Sequence, residues 1–131
     1  MILLDTHIAI WLALSPDRLS ERAQRTTTVG RQQRRLAISD ISLWETAMLI
    51  DKKKIDVKDD CISFLNLLIE GYRLHVYPIS PEIAAMTGKL PAGLNNDPAD
   101  RIIAATAIVE ELILITADRN LRQTSELRTL W

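Results

Sequence analysis

The sequence predicts an α/β fold, a sandwich of helices around a short, mainly parallel sheet. Short apolar runs alternate along the chain with longer stretches of helical pattern. The runs Ile2 to Leu4, Leu36 to Ile38 and Leu112 to Thr116 are rich in Leu and Ile with no polar alternation, as strands buried on both faces should be. An acid follows two of these strands, Asp5 after the first and Asp118 after "LILIT". In a parallel sheet the carboxyl ends of the strands share one edge, where ligands bind, so Asp5 and Asp118 are expected on that edge together.

Each element has its own signal. After the first strand, Thr6 to Leu14 reads as a helix stopped by "SPD". A second helix starts near Leu19 or Ser20. Arg18, Arg22 and Arg25 recur at helical spacing and are expected to share a face. The run Thr26-Thr27-Thr28-Val29-Gly30 is poor helix material and is expected to end it. The strand at Leu36 leads to Ser39 or Asp40 as the cap of a helix over "ISLWETAMLIDKKK", with an apolar stripe through Ile41, Trp44 and Met48. A further helix is expected from about Asp59 to Glu70, with Gly71 as its C-cap. "RLHVYPI" reads as a third strand, with His75 in its core pattern, and Ser80-Pro81-Glu82 opens a helix to about Gly88. "LPAGLNN" is a loop of turn formers. Asp97 then caps a helix in which Pro98 takes the first position and Asp100 the third. A short helix follows Asp118, and a last short strand is expected near "RTLW".

With 131 residues and no linker, repeat or low-complexity segment, residues 1–131 are expected to form a single domain with a sizeable core. The formal net charge of −1 excludes a polycation, so nucleic-acid binding would have to use local basic patches. Arg18, Arg22 and Arg25, or Lys52-Lys53-Lys54, could supply one, although such runs are most often solvated faces. A single cysteine, Cys61, permits no internal disulfide and fits a reducing cytoplasm. Asp5 stands where a signal peptide would have its apolar run, and nothing approaches the ~20 apolar residues of a membrane span, so no membrane is expected as a partner.

Taken singly, the acids have a plain explanation. Asp5, Asp97 and Asp118 sit where N-caps sit, and Asp100 in a first helical turn favours the helix dipole. Glu45 is different. It lies four residues after Ile41 and three before Met48, on the apolar stripe, where capping cannot account for it and a carboxylate needs a partner or a purpose. An ion pair with an arginine is the chief alternative. Taken together, these carboxylates would repel strongly, about 4 kcal/mol for a pair ~4 Å apart at an effective dielectric of 20. Protons or cations must offset that. An all-oxygen set without cysteine suits Mg²⁺ or Mn²⁺ rather than Zn²⁺. Such an ion activates water and stabilises a phosphoryl transition state.

At these residues the chain resembles a known family. "LLDTH" with Asp5, "SLWETA" with Glu45, "DPADRIIAATA" with Asp100 and "ITADRN" with Asp118 are similar, in order and spacing, to the four acidic motifs of PIN-domain ribonucleases. Within that family the chain looks most like VapC toxins of bacterial toxin–antitoxin pairs. The resemblance implies a three-layer α/β/α sandwich and a metal site of Asp5, Glu45, Asp100 and Asp118 holding Mg²⁺ or Mn²⁺. It implies Asp97 as an accessory acid and Thr116 as a polar lining residue. It implies hydrolysis of RNA phosphodiesters without a protein nucleophile, leaving 5′ phosphate and 3′ hydroxyl ends. Transfer RNA or ribosomal RNA would be the substrate, a cognate antitoxin the neutralising partner and a homodimer the common state. Ala99 stands where such toxins often carry an aromatic, a departure that touches substrate fit more than chemistry.

Two residues beside the acids carry lesser expectations. His7 would touch substrate or orient a carboxylate, or else make a structural hydrogen bond. Arg101 would pair with an acid or a phosphate. Trp11 and Trp44 read as core, Trp44 with a possible share in the pocket wall. Two other functions compete. An aspartyl-phosphate phosphatase would use Asp5 as nucleophile, but the haloacid-dehalogenase pattern wants a second Asp where His7 stands. A PIN-like interaction module would use the acids only as caps, and losing one of the four would favour it.

Overall fold

The computed structural model describes residues 1–131. Five strands form one sheet: β1 (Ile2–Leu4), β2 (Leu36–Ser39), β3 (His75–Tyr77), β4 (Ile113–Ile115) and β5 (Thr129–Leu130). Their order is β3-β2-β1-β4-β5, and every pairing is parallel. Seven helices cover it: α1 (Thr6–Leu14), α2 (Glu21–Gln32), α3 (Ile41–Asp51), α4 (Cys61–Gly71), α5 (Pro81–Thr87), α6 (Pro98–Val109) and α7 (Arg119–Arg122), with a 3-10 turn at Pro16–Arg18.

The strands are too short for anything but sorting side chains between two faces. Leu3, Ala37 and Leu114 point to one side, into a core with Ile103, Ala104, Ala107 and Leu121 from α6 and α7. Their neighbours Leu4, Leu36, Ile38 and Ile115 point to the other, against Ile8 of α1, Ala23 of α2, and Phe64 and Leu68 of α4. This period of two, with both faces covered, makes the three layers. No helix is long and apolar enough to cross a membrane.

Helix α2 runs through the threonine stretch that was expected to end it. The hydroxyls of Thr26, Thr27 and Thr28 each donate to the carbonyl four residues back, at 2.8 Å, so the β-branched residues are held inside the helix. Gly30 is also helical, and it is there for closeness. A Cβ at this position would stand 2.6 Å from Cδ2 of Leu36, so the missing side chain lets α2 lie on β2. Helices α2, α3, α4 and α6 then stop without a glycine at the left-handed position beyond them. Arg34, Lys53, Arg73 and Glu111 take the left-handed conformation instead, with φ of 53–56°. In each case the next amide closes on the helix, as with Arg35 N–H to Gly30 O at 2.8 Å and Leu112 N–H to Ala107 O at 2.8 Å. Gly71, expected as a cap, is the last residue of α4 itself.

Three further expectations are corrected here. Trp44 is 57% exposed, because the buried face of α3 is Ser42, Glu45 and Thr46 rather than the Ile41–Trp44–Met48 stripe. His75 is exposed, since β3 is an edge strand. Arg18 lies outside the helix that carries Arg22 and Arg25, and the three arginines do not form one patch. Arg18 sits in the 3-10 turn with its guanidinium 4.4 Å over the ring of Trp11, Arg25 pairs with Glu21 at 3.8 Å, and Arg22 lines a different cavity.

Candidate active site

Strand order reverses direction at β1, with β2 and β3 to one side and β4 and β5 to the other. Adjacent parallel strands whose connections leave in opposite senses open a crevice at their carboxyl ends. Asp5 closes β1 at that point, in extended backbone (φ −61°, ψ 151°), with its own N–H bonded to the carbonyl of Ile115 on β4 at 3.0 Å. Its Oδ1 accepts from the N–H of Thr6 at 2.8 Å, which caps α1. Its Oδ2 accepts from the Thr116 hydroxyl at 2.7 Å. That hydroxyl in turn accepts from the N–H of Asp118 at 3.0 Å. Thr116, fully buried one residue past β4, thereby fixes the two acids on either side of it.

Asp118 caps α7, its Oδ1 accepting from Leu121 N–H at 2.9 Å. Asp97 caps α6 through the N–H of Asp100 at 3.0 Å. Asp100, in the first turn, accepts from the side-chain amide of Asn95 at 3.1 Å. Asn95 does more than make a turn. It also accepts from the N–H of Asp97 at 3.0 Å, and its own N–H donates to the side chain of Asn120 at 2.8 Å. Asn120 donates back to the carbonyl of Gly93 at 2.9 Å. These two asparagines brace the loop carrying Asp97 and Asp100 against α7. Neither stood out in the sequence, where "LPAGLNN" read as turn formers; the signal present was an Asn two residues before an Asp-Pro cap.

Glu45 reaches the same edge from the buried face of α3, and its Oε1 is buried with no hydrogen-bond partner. Thr6 and Ser42 line this approach, their hydroxyls 2.9 Å apart, and both are buried. No arginine pairs with Glu45, since Arg25–Glu21 is the one ion pair in the molecule. Arg101 pairs with no acid either. Its guanidinium donates to the backbone carbonyls of Asn95 at 3.2 Å and Thr87 at 2.8 Å, tying the end of α5 to the loop before α6. His7 is exposed, without a hydrogen bond to a carboxylate, its ring 6.1 Å from that of Trp11.

The acids feel one another. Burial pushes the Asp100 carboxyl up to about 7, and the charges of Asp5, Asp97 and Asp118 push the same way against the Asn95 hydrogen bond. Burial also raises Asp5; the bond from Thr116, the charge of His7 and the N–H of Thr6 oppose it, and Asp118 adds to it. Burial raises Glu45 as well, offset in part by the Thr6 hydroxyl and His7 and reinforced by Asp5 and Asp97. As placed, no three of these side chains close into a preformed ligand cage. The donor set nevertheless fits a hard dication. It is all oxygen, burial raises three of its carboxyls above their ordinary values, and one of its buried carboxylate oxygens has no other partner.

This fold is that of a PIN domain, whose family model matches residues 2–127, and the chain belongs to that family. Among characterised proteins it is 37% identical to Ribonuclease VapC22 of Mycobacterium tuberculosis, over 99% of this chain and 98% of the relative. Among solved structures it is similar to VapBC2 from Rickettsia felis bound to a promoter DNA fragment, with a TM-score of 0.75 at 24% identity, covering 99% of this chain and 98% of that one. DNA-bound VapBC from Salmonella typhimurium follows with a TM-score of 0.71 at 23% identity, covering 99% and 98%. FitAcB from Neisseria gonorrhoeae gives 0.69 at 22%, covering 100% and 97%. At these identities the structures speak for the fold.

Proposed function

We propose that this chain is a divalent-metal-dependent endoribonuclease that acts as a toxin and is held inactive by a cognate antitoxin. The observation that carries the reading is the buried, partnerless oxygen of Glu45, close enough to Asp5 and Asp97 at the sheet's carboxyl edge to be raised by their charge. A purely structural acid would be capped or paired. Asp5, Glu45, Asp100 and Asp118 would hold Mg²⁺ or Mn²⁺, with Asp97 beside them. The ion would supply activation of water and stabilisation of charge on the phosphoryl group and the leaving 3′ oxygen. The chain's own part is positional. Thr116 fixes the spacing of Asp5 and Asp118, Asn95 holds Asp100, and Thr6 with Ser42 keeps a polar lining beside Glu45.

The ribonuclease activity named for the Mycobacterium relative supports RNA as substrate. The solved relatives described as toxin–antitoxin complexes support an antitoxin as partner. A groove of about 790 Å³ between α1 and the loop from α3 to α4, lined by Ile10, Trp11, Leu14 and Leu67 among others, offers such a partner an apolar seat next to His7. Exposed Trp44, Ile62 and Leu67 on α3 and α4 offer surface for a second copy.

The test is cleavage of total cellular RNA by the purified chain, free of antitoxin, with Mn²⁺ or Mg²⁺, with EDTA, and with Asp5→Ala. Discrete new 5′ phosphate ends that need both metal and Asp5 are expected. Cleavage that persists in EDTA or in Asp5→Ala would refute the metal-site mechanism, and no cleavage by folded, metal-loaded protein would favour an interaction module.

A further inference from the structure

We propose that Arg22, Arg119 and Arg122 form a phosphate-binding subsite that holds the RNA backbone beside the acidic edge, with Trp131 as a stacking surface; this rests on the ribonuclease reading above. The three arginines line one cavity of about 490 Å³ together with Gln123, Thr129 and Trp131, and no Asp or Glu side chain lines it. None of the three takes part in an ion pair or a side-chain hydrogen bond within the chain. The arginines that do bond elsewhere, Arg31, Arg101 and Arg128, donate to backbone carbonyls. Three cations lining one cavity with no Asp or Glu side chain among them repel one another. A polyanion would supply the missing charge, and guanidinium groups match phosphate oxygens in a bidentate fork.

The cavity adjoins the acids. Arg119 follows Asp118 directly, so their Cα atoms are about 3.8 Å apart. Trp131 follows Leu130, whose register partner is Ile115, which puts it level with Thr116. Its ring lies 6.2 Å from that of Trp11, and Trp11 lies 6.1 Å from His7, two residues past Asp5. Arg18 covers Trp11 at 4.4 Å. An aromatic row interleaved with arginine thus runs from the cavity toward the catalytic edge. Single-stranded nucleic acid uses both features, its phosphates on the cations and its bases on the rings. An acidic polypeptide would satisfy the arginines but leave the rings without a planar partner.

The test is binding of a labelled single-stranded RNA to Asp5→Asn protein, measured across salt from about 50 to 300 mM, where each phosphate contact contributes about 0.7 to the log–log slope. Adding Arg22→Ala, Arg119→Ala and Arg122→Ala should reduce the slope by about 2 and weaken binding about tenfold or more at low salt. Trp131→Ala should weaken binding with the slope kept, and Trp131→Phe should restore most of it. Arg25→Ala removes the same charge at the opposite edge, beside Met1, Ile2 and Ile113, and should leave the slope unchanged. Retained melting temperatures would establish that the arginine variants are folded, and Mn²⁺ stabilisation retained when the same three substitutions are made with Asp5 intact would establish that the acids are in place. An unchanged slope in the triple variant, while wild type still cleaves RNA, would overturn the subsite and leave the nuclease standing. No RNA binding by the parent and no cleavage by wild type would overturn both. Lost binding of polyglutamate with RNA binding intact would assign the cavity to an acidic polypeptide and overturn the proposal.

Discussion

Asp100→Asn should stabilise the metal-free protein. The Asp100 carboxyl is pushed up to about 7 from an ordinary value of 3.8, chiefly by burial and then by Asp5 and Asp97. Between those two values the native state holds a proton that the unfolded chain has released. Stability therefore falls as pH rises across this window, and is highest at its acid end. Three units correspond to about 4 kcal/mol if taken whole, but Asp100 is partly exposed, and solvent screening brings the usable share to about 1–2 kcal/mol. Losing an acid from the first turn of α6 takes back about 0.5 kcal/mol. An asparagine can still accept from Asn95, so no new orphan is created. For a chain of this length the net gain raises Tm by about 2–6 °C at pH 7.5. Thermal unfolding in EDTA from pH 5 to 8 reads it directly. Wild type should melt lower at pH 7.5 than at pH 5, and Asp100→Asn should flatten that slope in part, since Asp5 and Glu45 are raised for the same reason. Addition of Mn²⁺ should reverse the ranking: wild type gains about 2.7 kcal/mol at a hundredfold excess over Kd, and the variant gains little. If wild type shows no pH slope and Asp100→Asn melts no higher in EDTA, the repulsion argument is wrong. If both gain equally from Mn²⁺, Asp100 is no ligand.

Thr116→Val removes the hydroxyl that donates to Asp5 and accepts from Asp118, and should cost about 1–3 kcal/mol in urea unfolding with a larger loss in kcat than in KM. Asn95→Ala breaks the side-chain links to Asp97 and Asp100 while keeping the backbone bond to Asn120; hydrogen exchange should quicken in residues 95–97, and weaker Mn²⁺ stabilisation should accompany it. Glu111→Gly relieves a left-handed backbone at φ 56° and should stabilise by about 1 kcal/mol, read as a higher urea midpoint with activity unchanged.

The parallel sheet was legible because Leu3/Leu4 and Leu114/Ile115 are apolar on both faces, a pattern that a half-exposed sheet does not tolerate. The caps were legible because Asp97-Pro98 and Ser80-Pro81 state a helix start in two residues. Helix ends were not. Their left-handed positions fall on Arg34, Lys53, Arg73 and Glu111, where no residue type announces them, while Gly30, which looks like a terminator, is spent on the approach of α2 to β2. The stripe of α3 misled for a related reason. A helix over a polar site buries small and ionisable residues, so Ser42, Glu45 and Thr46 are inside and Trp44 is outside, the reverse of what hydrophobicity alone expects. The cluster of arginines needed the tertiary fold: Arg22 lines one cavity with Arg119 and Arg122, which follow it by about a hundred residues of chain.

The division of labour among the acids explains why the motif-by-motif reading was ambiguous. Asp5, Asp97 and Asp118 each give one oxygen to a backbone N–H at a helix start, a bond that anchors the carboxylate whether or not a cation is near. Asp5 gives its second oxygen to Thr116. Capping and ligation are therefore compatible uses of one side chain, the first fixing the position from which the second is made. Glu45 has no such anchor. It is carried to the edge by α3 with one oxygen buried and unpaired, close enough to Asp5 and Asp97 to be raised by their charge. In a metal-free fold that arrangement only destabilises, because an apolar residue at position 45 would bury the same face without an orphaned charge. The cost makes sense if the edge is built to be completed by a cation, and Glu45, rather than any of the capping aspartates, is the residue on which that reading depends.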